Sequence, residues 1–224
     1  MAASTGSARR WIAVAALTVT VALGLIGCGA PSWNYVTSKE EHTYAKVPVA
    51  WRDVSAGIPP SSSVFGLDPS TVSWVRAYDA DAAPSIDHAT GTAATAAPTM
   101  VAVVFTLPEQ ARGGVSLDSL RDVIFPISER SRRLLEMQPG SALSGFKLFG
   151  EQTLTPGNGL RGVRSIFSYS INGGQAQVFD QTAYTNDDAS KIYLIMVRCA
   201  LDCFAKNSAE IDNVASSFTV REKP

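Results

Sequence analysis

Ile192-Tyr193-Leu194-Ile195-Met196-Val197 has no polar side chain on either parity apart from one phenol. A strand that is apolar on both sides must be covered on both faces, since a wet face would expose every second residue. Met100-Val101-Ala102-Val103-Val104-Phe105 has the same character. The two runs predict the middle of a sheet with further layers above and below it.

Working outward from them, the chain reads as strands grouped around two substantial helices. Tyr44–Val49 is a first strand, closed by Pro48 and Trp51. Val72–Tyr78 is a second, with Val72, Trp74 and Arg76 on one side and Val75 out of step. Three more are expected at about 146–154, 163–171 and 176–184. In the middle one Phe167, Tyr169 and Ile171 share a side opposite Ser168 and Ser170. Asn172-Gly173-Gly174 is a hairpin signal, and Asn186-Asp187-Asp188 turns the chain into the 192–197 run. Gly57–Ser63 is a loop by composition. The stretch 80–98, rich in Ala, Thr, Asp and Pro, has no apolar period and reads as a long mobile loop, with disorder open as an alternative.

The first helix begins at a Ser116 cap, with Leu117, Leu120, Ile124, Ile127, Leu134 and Leu135 along one face. Pro126 predicts a kink, or two consecutive helices meeting there. Arg130, Arg132 and Arg133 fall toward its C-terminal end, where positive charge suits the dipole. They read as a solvated helix end, with contact to an anionic lipid or a partner as the other reading. A last helix carries Phe204, Ile211, Val214 and Phe218, and Thr219-Val220 offers one more pairing. Hairpin-linked strands with helices between and after them give the α+β class, a mainly antiparallel sheet with helices packed on its faces.

The N-terminus carries an address. Arg9-Arg10 precedes an apolar segment from Trp11, which ends in Leu25-Ile26-Gly27-Cys28, and no Asp or Glu occurs before Glu40. This is the order of a secretory signal, with a small residue placed before a cysteine that can be alkylated by diacylglycerol. Residues 1–27 are expected to be the signal peptide, 28–40 a lipidated tether, and 41–224 the folded domain. A transmembrane helix is disfavoured, since residues 11–27 barely reach the lower limit of about 17 apolar residues. Cleavage by the ordinary peptidase after Gly29-Ala30 is the remaining alternative. One acyl chain holds a protein only marginally and two hold it stably. A diacylglyceryl Cys28, with palmitate as a natural chain, would therefore keep the protein on the extracytoplasmic face of the cell membrane. Arg9-Arg10-Trp11 hints at twin-arginine export, although the flanking residues fit poorly.

The full chain has 19 basic and 20 acidic residues; without Arg9 and Arg10, 17 face 20 and the net charge is near −3. Nucleic acid as a partner is disfavoured, because it calls for a strongly basic face. With Cys28 assigned to lipid, Cys199 and Cys203 remain as a pair in an oxidising compartment. A structural disulfide at a strand-to-helix corner is the expected reading. Two buried free thiols are the alternative, and a redox-active pair fits poorly because thioredoxin-like sites use C-x-x-C.

Tyr44-Ala45-Lys46-Val47-Pro48-Val49-Ala50-Trp51 and the ending Ser217-Phe218-Thr219-Val220 resemble the opening and closing segments of PsbP-like domains. Lipoproteins of actinobacteria of the PsbP/LpqN-like type combine such a domain with a lipidated cysteine and a cysteine pair near the last helix. The resemblance covers most of residues 40–220 and implies an α-β-α sandwich. It also implies an accessory or binding role without chemistry, so no catalytic residues carry over. The 80–98 stretch departs from the usual pattern.

Tests for chemistry point the same way. Gly157-Asn158-Gly159-Leu160-Arg161-Gly162 matches G-x-G-x-x-G, but a dinucleotide site needs that loop between strand and helix, and a strand follows here. His42 and His88, the two histidines, belong to no metal-ligand pair and read as surface residues. Asp79, Asp81 and Asp87 lack the glycine and terminal Glu of an EF-hand, leaving weak calcium binding as a remote reading. No G-x-S-x-G occurs. Neither a cofactor, a metal nor catalytic residues are expected. The leading expectation is a lipid-anchored cell-envelope protein that binds an envelope protein or a small ligand, with Trp33, Tyr35 and Trp74 as the aromatics to follow. The alternatives are a carrier of an apolar ligand in a pocket between sheet and helix, and an enzyme without a recognisable motif.

Overall fold

The computed structural model describes residues 32–59, 63 and 65–221; Cys28 and the signal segment lie outside them. A three-stranded sheet is formed by β1 (Trp33–Ser38), β2 (Thr43–Pro48) and β10 (Thr219–Val220) in the order β1-β2-β10. A seven-stranded sheet contains β3 (Arg52–Asp53), β4 (Val72–Asp79), β5 (Thr99–Thr106), β6 (Leu143–Gly157), β7 (Leu160–Ile171), β8 (Ala176–Thr185) and β9 (Lys191–Ala200). Its order is β3-β4-β5-β9-β8-β7-β6, with antiparallel pairs throughout. The helices are α1 (Ile86–Thr90), α2 (Glu109–Arg112), α3 (Leu117–Arg121), α4 (Glu129–Glu136) and α5 (Leu201–Ser216).

The two doubly apolar runs are adjacent central strands, with Val103 opposite Leu194. Alternation sends Met100, Ala102 and Val104 of β5 and Tyr193, Ile195 and Val197 of β9 to one face. There they meet Ile211, Val214 and Phe218 of the C-terminal segment and Val36, Ala45 and Val47 of the small sheet. The opposite face turns Val103, Phe105, Ile192 and Leu194 toward Leu120 of α3. Farther along, Phe167, Tyr169, Phe179 and Met196 pack with Ile127 and Phe125. Each fully buried Ile or Phe contributes about 1.5–3 kcal/mol relative to exposure. This is the α+β sandwich expected from the sequence, except that one outer layer is built partly of strands.

That exception corrects the tether reading for residues 33–38, while 28–31 lie outside the described residues. From Trp33 the chain is strand, paired residue for residue with β2 from Trp33↔Pro48 to Ser38↔Thr43. Only Val36 on β1 is a buried aliphatic, so the segment carries too little apolar alternation to announce itself.

Pro126 separates two helices, as anticipated. Asp122, just past α3, takes over the freed donors: its carboxylate accepts from the N–H groups of Ile127 and Ser128 and from the hydroxyls of Ser128 and Ser131. Ser116 caps α3 and Ser128 caps α4. The break also relocates the arginines. Arg130 lies in the first turn of α4, Arg132 folds over the Phe146 ring at 4.5 Å, and Arg133 pairs with Glu129.

The 80–98 stretch is neither featureless nor loosely attached. It contains α1, capped by Ser85 and closed by Gly91 at φ 88°. Asp79, whose side chain is wholly buried, accepts N–H bonds from Asp81 and Ser85, and His88 Nδ1 lies 2.8 Å from its Oδ2. Arg198 on β9 donates to the carbonyls of His88 and Ala93 and to Thr99 Oγ1. Polar groups order this segment, which is why hydrophobic period gave no sign of it.

Candidate functional site

The N-terminal face of the small sheet is the first candidate. Val49 N–H donates to Ser32 O at 3.1 Å, fixing the backbone at the first described residue. Along β1 and β2, Val36, Ala45 and Val47 point inward, so Trp33, Tyr35, Tyr44 and Lys46 line the outward side. Tyr35 is 65% exposed and stacks on Tyr44 with ring centroids 5.8 Å apart. Lys46 Nζ lies 4.6 Å over the Trp33 ring, within cation–π range. Val49, also exposed, adds an aliphatic group beside Ser32. The hairpin is held rigidly: Lys191 Nζ meets Glu41 Oε2 at 2.6 Å near its tip, and Lys46 N–H donates to Ser217 Oγ at 2.9 Å. Tyr44, Lys46 and Val49 were not singled out from the sequence, because only the pairing register brings them beside Trp33 and Tyr35.

The second candidate is an apolar cavity of about 270 Å³ between α2–α3 and the end of the large sheet. Leu67, Phe105, Leu107, Val115, Val123 and Ile192 are among its walls. It is near the lower end of small-molecule pocket volumes, about 300 Å³. This is where a carrier reading would place its ligand. The signal was present in the chain only as apolar positions that any core would also need.

A larger, more polar hollow of about 490 Å³ opens at the corner where β9 meets α5, lined by Thr95, Gln175, Asp202, Cys203, Lys206 and Asn207 among others. Cys199 and Cys203 face each other there at disulfide distance, their Cα atoms 5.7 Å apart.

Several of the displaced titration equilibria belong to groups that join one element to another. Arg164 clamps Asp180 with two hydrogen bonds of 2.8 and 2.6 Å and reaches Asp212 at 2.7 Å; these bonds, led by Asp180, hold its guanidinium firmly charged against burial. Burial pushes the Asp180 carboxyl up, and Arg164 opposes that. Arg121 grips Glu151 bidentately at 2.8 and 2.7 Å, which draws the Glu151 carboxyl below its ordinary range. Burial brings Arg198 down to about 10, with the Asp79 charge working against it. Burial also lifts the Tyr169 phenol to about 12, and its hydroxyl donates to Pro126 O. Each of these groups ties one element to another.

The other residues noted from the sequence fall into place individually. His42 occupies the β1–β2 turn at φ 51°. His88 is not the surface residue expected, because Asp79 draws its ring inward. Asp79 spends its carboxylate on two amides and that ring, which leaves a calcium reading without support. Trp74 is half-buried against the core with Arg76 beside its ring. Gly157 and Gly159 shape a β6–β7 hairpin at φ 98° and 75°, and no helix follows to receive a phosphate. Among the described residues, no group of three or more His, Cys, Asp or Glu side chains could hold a metal ion, and no helix is long and apolar enough to cross a membrane.

No protein-family model matches the chain, and no curated protein matches it. Among solved structures it is similar to cyanobacterial PsbP (CyanoP) from Synechocystis sp. PCC 6803, with a TM-score of 0.53 at 14% identity over 87% of this chain and 96% of that one. It is also similar to the Ran-binding protein Mog1p of Saccharomyces cerevisiae, with a TM-score of 0.46 at 12% identity over 84% and 95%. LpqN, involved in cell envelope biogenesis of Mycobacterium tuberculosis, gives 0.45 at 16% identity over 85% and 91%. The CyanoP likeness supports a PsbP-like fold, and at these identities the similarity is one of architecture.

Proposed function

We propose that this chain is a PsbP/LpqN-like lipoprotein of the cell envelope, anchored through a lipidated Cys28 on the extracytoplasmic face of the membrane, and that it acts by binding rather than by chemistry. The observation that carries the reading is the spacing between Cys28 and the folded body. Leu25-Ile26-Gly27-Cys28 ends the apolar leader, and the backbone is already fixed at Ser32. At most about 3.6 Å per residue separates them, so Ser32 stays within about 14 Å of Cys28 along the chain. A body held that close suits a protein that presents a surface to envelope partners. The disulfide between Cys199 and Cys203, proposed here as structural, fits the same oxidising compartment.

The test is Cys28→Ala with intact-mass analysis of the native protein. The expected result is a diacylglyceryl increment on the wild type and release of the variant into the soluble fraction, or its stalled processing. Wild-type protein without the increment would remove the anchor from the reading.

The apolar cavity beside α3 supports a second reading, a carrier whose ligand buries an apolar group there. Titration of the protein with a fluorescent apolar probe such as N-phenyl-1-naphthylamine tests it, and lack of binding would set it aside.

A further inference from the structure

We infer that the outward side of the β1–β2 hairpin lies on the bilayer, with Trp33, Tyr35 and Tyr44 at the headgroup level and Lys46 facing anionic lipid phosphates. The inference rests on the lipid anchor proposed above and adds an orientation to it.

The first argument is the length and end of the chain between lipid and fold. Cleavage before Cys28, as proposed above, leaves only residues 28–31 ahead of Ser32, and Ser32 O is held by Val49 N–H. An anchor this short leaves the N-terminal end of the hairpin as the part of the domain nearest the acyl chains.

The second argument is what that end displays. Aromatic side chains with a polar handle favour the membrane–water interface, where one edge is apolar and the other hydrated. Tyr35, Tyr44 and Trp33 share one side of a two-stranded surface, and Val49 lies beside them. Tyr35 and Val49 are both among the exposed large hydrophobic residues of this domain. The inward side is closed by the core, against which the half-buried Trp33 also packs in part; on the other side Tyr35 is the most exposed of the three rings. Lys46, directly opposite Tyr35, supplies the positive charge in the middle of the patch. A lysine at this depth gains from the negative potential of an anionic leaflet. The acidic residues Glu40 and Glu41 sit at the far tip of the hairpin, and Glu41 is neutralised by Lys191. Charge and polarity therefore change along the hairpin in the direction that a surface-bound orientation requires.

The third argument is rigidity. Bonds to Ser217 and Lys191 tie the middle and the tip of the hairpin to the domain, and the Val49–Ser32 bond closes its open end, so placing its face on a bilayer orients the whole sandwich.

The experiment uses the mature lipidated chain, extracted in detergent and reconstituted in vesicles of phosphatidylglycerol and phosphatidylcholine with brominated acyl chains. Trp33, Trp51 and Trp74 remain in the mature chain, and Trp51 is only 2% exposed. Bromolipid quenching of the wild type should fall by at least half in Trp33→Phe. It should also fall in Tyr35→Asp, a substitution at an exposed position, with circular dichroism unchanged in both. Lys46→Glu should reduce quenching in phosphatidylglycerol-containing vesicles and leave it unaltered in pure phosphatidylcholine. Quenching that persists unchanged in all three variants, or is absent in the wild type, overturns the orientation when the diacylglyceryl increment is present. Absence of that increment overturns the anchor, and this inference with it.

Discussion

His88 Nδ1 lies 2.8 Å from Oδ2 of Asp79, a carboxylate with no solvent exposure. Because the carboxylate accepts, the ring nitrogen facing it carries the hydrogen. The same carboxylate receives the Asp81 and Ser85 amides, so one side chain organises the whole start of the 80–98 excursion. Replacing it by Ala would leave two amides and the imidazole without their acceptor. Asp79→Ala is expected to cost about 3 kcal/mol, with hydrogen-exchange protection lost first in 80–98 and retained in β5 and β9. Unchanged exchange in that segment would show that the excursion is held by something else.

The latch has a second half that can be tested independently. Gly91 closes α1 at φ 88°, and a Cβ there would lie 2.5 Å from Arg198 Nη1. Gly91→Ala thus combines a left-handed backbone with a collision against a buried guanidinium. The expected loss is about 2 kcal/mol, measured by urea denaturation. A neutral substitution would mean that Arg198 has room to withdraw.

The contrast between this latch and the rest of the fold shows what a sequence makes visible. The central strands were legible because Ile192–Val197 and Met100–Phe105 are apolar on both parities, a pattern with one structural solution. The break at Pro126 was legible because proline removes a donor, and Asp122 supplies the missing acceptor in the structure. Strand β1 was not legible, since its one buried aliphatic, Val36, cannot define a period. Nor was the 80–98 fold, whose order comes from Asp79, His88 and Arg198 meeting across 119 residues of chain. The hairpin face proposed for the membrane suffered the same blindness: Trp33 and Tyr35 could be noticed, but Tyr44 and Lys46 join them only through register.

The corner between β9 and α5 makes a chemical prediction. Non-reducing mass spectrometry of the mature protein should recover Cys199 and Cys203 in one linked peptide. Closing so short a loop stabilises by about 2 kcal/mol in the chain-entropy picture, so Cys199→Ala/Cys203→Ala should lose about that amount, and reductant should not affect the variant. Both thiols alkylating without reductant would refute the link.

The Arg121–Glu151 pair fastens α3 to β6 and makes stability depend on pH. Arg121 bonds lower the folded-state pKa of Glu151, so the unfolded chain takes up the proton first as pH falls. The contribution of the pair is therefore complete above the unfolded value of about 4.3. It is lost as pH drops through the lower folded value. Glu151→Gln should cost about 1 kcal/mol at pH 7, in keeping with a bidentate, partly shielded pair. The difference from the wild type should shrink below about pH 4. A gap that stays constant into acid would assign the effect to packing instead of charge.

The apolar cavity beside α3 is a site of missing contacts as well as a possible receptacle. Its walls, Phe105, Leu107, Val123 and Ile192 among them, leave apolar surface without a packing partner in the protein. Val123→Phe places a ring where those walls lack neighbours. Filling of this kind commonly adds about 1 kcal/mol of stability, which should appear as a higher urea midpoint at unchanged slope. Benzene, an apolar probe small enough for this pocket of about 270 Å³, should raise the melting temperature of the wild type and have no such effect on the variant. A destabilised Val123→Phe protein would mean that the walls do not accommodate a ring, and benzene without effect on the wild type would argue against any apolar ligand at this position.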